Sequence, residues 1–184
     1  AVLPFEHLGQ PEDAYITDGL TDEIRGKLSS VPGLQVIARG SSNEYRRTSK
    51  SPRAIASELG VRYLLTGTVR SEPATPQHAA RLRVSPELVE VAEGGAPVTR
   101  WQQPFDADVS DVFAMQADIA GKVAGAMNVA LGGDAQAQLA EAPTRSAEAY
   151  DAFLRGEAES SAMGSREPKA LRRALDHYTR AVAI

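Results

Sequence analysis

The chain is expected to adopt an α/β fold: a mixed sheet with a βαβ-like start and an antiparallel meander packed on helices, followed by a C-terminal helical hairpin. Three observations lead there. An apolar opening and a helically spaced run precede the stretch from Gly60 to Arg70, which follows a short, well-capped helix and reads as a buried strand. Alternating and turn-rich segments then fill residues 80–105, the pattern of antiparallel strands. Two amphipathic stretches close the chain, separated by Gly164, Ser165 and Pro168.

The elements follow in order. Residues 1–5 are a short apolar run, consistent with a first strand, and residues 6–16 a polar loop holding Gly9 and Pro11. A helix is expected to begin at Thr17-Asp18, whose side chains can accept from an orphan backbone N–H. Leu20, Ile24, Leu28 and Val31 supply its apolar face, and Pro32-Gly33 stops it. Residues 34–38 read as a strand. Ser51 and Pro52 cap and open the next helix, Ile55, Ala56 and Leu59 face inward, and Gly60 suits the left-handed position that ends it.

Residues 61–69 form the next strand, with a proline-containing turn at 73–76. Residues 80–91 alternate around Leu82, Val84 and Leu88, and Pro86 marks this strand as an edge or bulged one, because proline has no N–H to donate. Gly94-Gly95 turns the chain into a strand over 98–105, on which Trp101 is expected to anchor the sheet against the following helix. Ser110 caps that long helix. Val112, Ile119, Val123 and Met127 are its buried stripe, Gly121, Gly125 and Ala126 permit close packing, and Gly132-Gly133 ends it. Residues 132–145 read as a linker, and the last two helices span about 147–162 and 168–184. The domain division is therefore 1–131, a linker at 132–145, and a truncated helix pair at 146–184.

Composition narrows the function classes. Hydrophobic residues make up 42% of 184, enough for a core. The net charge is −4, and residues 1–131 carry 13 basic and 16 acidic side chains against 7 and 8 in the remainder. Neither part has the basic excess of a nucleic-acid binder. There is no cysteine, which excludes disulfides and thiolate metal sites and fits either side of a membrane. No apolar run approaches the roughly 18 residues of a membrane span. The chain opens in a strand and ends in a helix, as a piece of a longer protein would.

No catalytic constellation is legible. Neither double glycine is followed by the lysine of a phosphate-binding loop, no serine sits in a Gly-x-Ser-x-Gly elbow, and His7, His78 and His177 are scattered, so no cofactor and no metal site is expected. Asp18, Asp22 and Glu23 read either as acid/base carboxylates or, preferably, as complements to a helix dipole. The sharpest polar feature is Arg39, Arg46, Arg47, Lys50 and Arg53, five cations in fifteen residues opposed only by Glu44. On a loop leading into a helix N-terminus they are candidates for binding a phosphate-bearing ligand or an acidic partner, the alternative being a solvated basic loop.

Several segments together resemble one bacterial family. They are Ala1-Val2-Leu3-Pro4-Phe5-Glu6, Thr17-Asp18-Gly19-Leu20-Thr21, Ile37-Ala38-Arg39 with Ser41-Ser42, and Ile55-Ala56 through Gly60-Val61-Arg62-Tyr63. Trp101 and Asp111-Val112-Phe113 through Gln116, Ile119 and Ala120 complete the set. The resemblance is to the TolB amino-terminal-domain-like module of bacterial regulators and covers residues 1 to about 131. It implies a TolB-like α/β fold and a place between a signalling domain and tetratricopeptide repeats. In that family the signalling domain is a winged-helix DNA-binding domain, a class III adenylate cyclase or a Ser/Thr kinase, and the resemblance brings no established catalytic residues. Gly40, Pro86 and the run Gly94-Gly95-Ala96-Pro97 depart from the family pattern and bear on strand lengths more than on fold.

The C-terminal pair resembles the start of a tetratricopeptide array, with Tyr150, Leu154 and Gly156 in the first helix and Ala174, Tyr178 and Ala181 in the second. Tyr150, Leu154 and Tyr178 are accordingly candidates for protein contact. The spacing from Gly156 to Ala174 is longer than a compact repeat of about 34 residues would give, and at least about three repeats are normally needed, so the array is expected to continue past Ile184.

The resulting expectation is a non-enzymatic sensor or scaffold module of a multidomain signalling or transcription-regulatory protein. Its partners would be proteins held by the helix pair and the output domain of the same polypeptide, with a homodimer open as well, since exposed apolar positions on an unfinished repeat array can make the fragment dimerise artificially. A small-molecule or nucleotide sensor built on residues 39–53 is the alternative, and an envelope assembly factor a third. An extracytoplasmic location is slightly favoured over a cytoplasmic one.

Overall fold

A two-stranded antiparallel ribbon organises the sheet. In the computed structural model β2 (Tyr63–Glu72) and β3 (Arg81–Glu90) pair along their full length, from Tyr63 opposite Glu90 to Glu72 opposite Arg81. The structure describes residues 1–72, 80–92, 94–108, 111–129, 132–144, 146–161 and 168–184. The expected turn at 73–76, His78, the Ser110 cap and Gly164-Ser165 lie outside them. Alternation assigns the two faces of the ribbon: Leu65, Val69, Leu82, Val84 and Leu88 join the main core, whereas Leu64 joins a smaller cluster with Leu3, Ile55 and Ala56 on the other side.

The opening segment flanks β2 on its other edge. Val2 bridges Leu65 in parallel, and β1 (Glu6–His7) pairs in parallel with Thr68 and Val69. Pro4 lies between the two contacts, so the ladder expected over residues 1–5 is split and its regular part falls at 6–7 instead. Beyond β3, β4 (Val98–Gln102) pairs with residues 87–90, and β5 (Phe105–Asp108) with residues 81–84. They are two halves of one broken strand. Pro86 and Pro104 both sit at the break, where neither has an N–H to give. Pro86 therefore does not make β3 an edge: β3 is central, and the register shift of its outer ladder falls between Leu88 and Val89.

The first helix, α1 (Ala14–Ser29), starts three residues before the expected cap, after a 3-10 turn at Pro11–Asp13. Leu20, Ile24 and Leu28 are buried as their spacing predicts. Thr17 is buried inside the helix rather than capping it, and Asp18, Asp22 and Glu23 lie beyond the first turn, so they do not complement its N-terminal dipole. Residues 34–38 are extended but unpaired, not a strand. Leu34 and Val36 pack on the core, and the chain turns at once into α2 (Arg39–Asn43). The next helix, α3 (Pro52–Leu59), is capped as expected: the Ser51 side chain accepts from the Ala54 N–H at 3.3 Å, and Gly60 adopts φ +65°.

The long helix α4 (Val112–Ala126) buries Val112, Ile119 and Val123, together with Met115, Gln116 and Ala120. It ends well before Gly132, with Asn128 at φ +58°. Gly121 and Gly125 face open space, so they are not close-packing positions. Residues 132–145 are not simply a linker: α5 (Gly133–Ala140) buries Ala135 and Leu139, and Leu139 belongs to the main core. The helices α6 (Ala147–Ser161) and α7 (Pro168–Ala183) form the hairpin. The whole is a mixed α/β fold with a mixed sheet and, among the described residues, seven α-helices. None of them is long and apolar enough to cross a membrane.

Candidate functional site

Of the five predicted cations, Arg39 opens α2 and Arg53 lies in α3, whereas Arg46, Arg47 and Lys50 stay on the segment between the two helices. Arg39, the first residue of α2, is not on a loop after a strand. It reaches Asp22 of α1 at 3.0 Å and Glu157 of α6 at 4.0 Å, and donates to Ser161 Oγ at 3.4 Å. Arg46 pairs with Asp18 at 2.7 Å. Lys50 donates to both Glu58 oxygens at 2.8 and 2.7 Å and lies 5.5 Å from the centre of the Tyr45 ring. Tyr45 donates its hydroxyl to the same Glu58 carboxylate, which the Lys50 and Tyr45 hydrogen bonds hold below the usual carboxylate range. Arg53 donates to the Gly95 carbonyl. Only Arg47, exposed and at φ +55°, has no hydrogen-bond or ion-pair partner among the described residues.

Two concavities result. One is an open groove of about 1160 Å³ between α1, α2 and α6, lined by Asp18, Asp22, Glu23, Arg39 and Glu157 among others. Desolvation raises the Glu23 carboxyl above its usual range, and nearby Lys27 opposes that shift. Desolvation also lowers Lys27, whose ammonium donates to the carbonyls of Leu139 and Glu141 at 2.7 and 2.8 Å. The other is a pocket of about 860 Å³ over the sheet face that α3 covers only at one end. Its floor is polar: Thr66 stands opposite Glu87, Thr68 opposite Ser85, and Glu87 opposite Gln102. Arg46, Arg47 and Lys50 line the same pocket.

The three residues predicted for protein contact have other tasks. Tyr150 and Leu154 are buried in the main core, so they are not available to a partner. Tyr150 meets Phe113 edge-on at 4.6 Å and accepts from Gln116 Nε2 at 3.1 Å, and burial raises its phenol. Tyr178 is half-buried and donates to Glu157 at 2.7 Å. Leu154 fills a notch over Gly19, and Gly156 lets the Tyr178 ring approach to where a Cβ would stand 2.6 Å from Cε1. Trp101 is half-buried against the main core, 6.0 Å from the Phe105 ring.

Other polar contacts had no signal in the sequence. His7 accepts from the Thr17 hydroxyl at Nδ1 (2.9 Å) and donates from Nε2 to the Gln10 carbonyl (2.8 Å), the tautomer that these partners require. Glu90, 4% exposed, is held by Arg100 and Arg62, which keep its carboxyl below the usual range. Among the described residues no group of three or more His, Cys, Asp or Glu is placed to hold a metal ion. The hydroxyl floor could have been anticipated only from the alternation Thr66, Thr68 and Ser85, Glu87 combined with the register that faces them.

The chain is 35% identical over 156 residues to "Putative adenylate cyclase 3" of Rhizobium meliloti (strain 1021), a match covering 84% of this chain and 25% of that protein. The chain thus spans about a quarter of its relative's length. This homology fits a module of a signalling protein. No family model matches the chain. The solved structure of hypothetical protein CT253 from Chlamydia trachomatis aligns with 58% of this chain and 69% of its own, at a TM-score of 0.41 and 14% identity, too loose a likeness to carry an argument.

Proposed function

We propose that the chain is a non-enzymatic sensor or scaffold module of a multidomain signalling protein, with a TolB amino-terminal-like α/β part and a tetratricopeptide-like helix pair. The observation that carries this reading is the homology to one quarter of a protein bearing an adenylate cyclase name. A segment of that size is a part of a larger device. The helix pair and the body meet through Leu154, Tyr150 and the Arg39–Glu157 ion pair, so a partner or ligand that prefers one arrangement would bias whatever output domain is attached.

The test uses the relative as well as this chain. Deleting the homologous segment from the Rhizobium meliloti protein is expected to leave cyclic AMP formation measurable while altering its level or response. The 184-residue chain alone is expected to turn over no ATP. ATP turnover by the chain alone, or a loss of all turnover on deletion with the remaining protein still folded, would overturn the reading.

A further inference from the structure

The geometry points to the pocket over the open half of the sheet as a binding site for a small polyol carrying one anionic group, of the sugar-phosphate class. The proposal deepens the sensor reading and rests on it for its purpose. Its volume of about 860 Å³ lies in the range of small-molecule sites. The floor is a contiguous patch on one sheet face: Thr66 and Thr68 on β2, Ser85 and Glu87 on β3, Gln102 on β4, all placed by the register. Side chains directly opposite one another have Cβ atoms about 5 Å apart, so several of these polar groups can reach one small ligand at once.

Among the described residues the hydroxyls of Thr66, Thr68 and Ser85 and the amide of Gln102 have no side-chain hydrogen-bond partner. Glu87 uses one carboxylate oxygen to accept from Thr99 and keeps the other. Hydroxyl donors and acceptors beside a carboxylate suit a ligand that both donates and accepts, as a polyol does. The anionic group follows from the wall. Arg46 is engaged by Asp18 and Lys50 by Glu58, whereas the Arg47 guanidinium has no such partner and can take a phosphate bidentately. A nucleoside base is disfavoured, because the aromatic side of the pocket, Tyr45, carries Lys50 on its ring and has its hydroxyl bound to Glu58.

Titration calorimetry of the 184-residue chain with ribose 5-phosphate and glucose 6-phosphate tests this, with ribose, glucose, inorganic phosphate and AMP run alongside. At least one sugar phosphate is expected to bind at least tenfold more tightly than its free sugar, inorganic phosphate or AMP, and to shift the amide resonances of residues 66–68, 85 and 87. Arg47→Gly removes the cation and suits the positive φ, so the variant is expected to fold and to bind at least tenfold more weakly. Thr68→Val, nearly isosteric, is expected to weaken binding several-fold. No binding of either sugar phosphate at millimolar concentration, equal binding of inorganic phosphate or AMP, or affinity unchanged in both variants would overturn the site. Binding without any change in the output of the full-length protein would leave the site standing and remove its role as a sensor.

Discussion

Gly19 and Gly26 stand two turns apart on α1 and are expected to answer the same substitution in opposite ways. A Cβ on Gly19 would overlap the Leu154 methyls, whereas one on Gly26 meets nothing within 4 Å. Alanine at Gly26 removes a helix-interior glycine and is expected to stabilise by about 0.5–1 kcal/mol. At Gly19 the overlap works against that gain, and overpacking of this kind typically costs about 1–3 kcal/mol. Thermal or denaturant unfolding of Gly19→Ala and Gly26→Ala separates the two, and Leu154→Ala is expected to cost less in the Gly19→Ala background than in the wild type, because the overlap it relieves is then present. Equal shifts in the two single variants would contradict the notch.

Glu90 gives the residue scale a pH dependence. Hydrogen bonds from Arg100 and then Arg62 hold its carboxyl below its ordinary value of 4.5, so the folded chain binds this proton less readily than the unfolded one. Its contribution is fully present above about pH 4.5 and is lost as pH falls through the lowered folded value. Urea unfolding of wild type and Glu90→Gln across pH 3–7 should therefore show a stability gap at pH 7 that narrows towards pH 3. A gap that widens on acidification would refute the pairing.

At the scale of elements, α5 is the informative case. Eight residues cannot hold a helix in water on propensity alone. Leu139 in the core and the Lys27 ammonium on the carbonyls of Leu139 and Glu141 hold this one. Lys27→Met keeps the aliphatic stem and removes the donor, and is expected to speed amide hydrogen exchange over residues 133–140 while leaving β2 and β3 protected. Leu139→Ala is expected to cost about 2–5 kcal/mol globally, because it opens a cavity in the shared core. The broken outer strand obeys the same logic of backbone groups: two prolines placed at one break withdraw two donors without leaving an N–H unpaired.

At the scale of the whole molecule, one core joins the sheet to the C-terminal hairpin. Tyr150 and Leu154 of α6 share a cluster with Leu65, Val84 and Ile119. Calorimetry is accordingly expected to show a single unfolding transition. Ending the chain after residue 145 uncovers Phe113 and buried Gln116 and is expected to lower the midpoint by several degrees. Two resolved transitions, or an unchanged midpoint on truncation, would instead show that the hairpin and the body fold independently.

Much of the architecture is legible locally, because it follows from spacing and chain chemistry. The inward face of α1 at Leu20, Ile24 and Leu28, the Ser51 cap, the left-handed Gly60 and the two closing helices each depend on residues a few positions apart. Tertiary structure decided what depends on distant partners. Residues 34–38 have strand-like composition and no strand to pair with. Pro86 sits in a central strand because Pro104 lies across the break. Arg39, Arg46 and Lys50 are taken up by Asp22 and Glu157, Asp18 and Glu58, carboxylates brought in by α1, α6 and α3, while Arg46, Arg47 and Lys50 still line one pocket. The hydroxyl floor becomes a site only when the register of β2, β3 and β4 sets Thr66, Thr68, Ser85, Glu87 and Gln102 side by side. Local propensity acts within a few residues, while ion pairs, strand partners and pockets are set by which distant segments the core brings together.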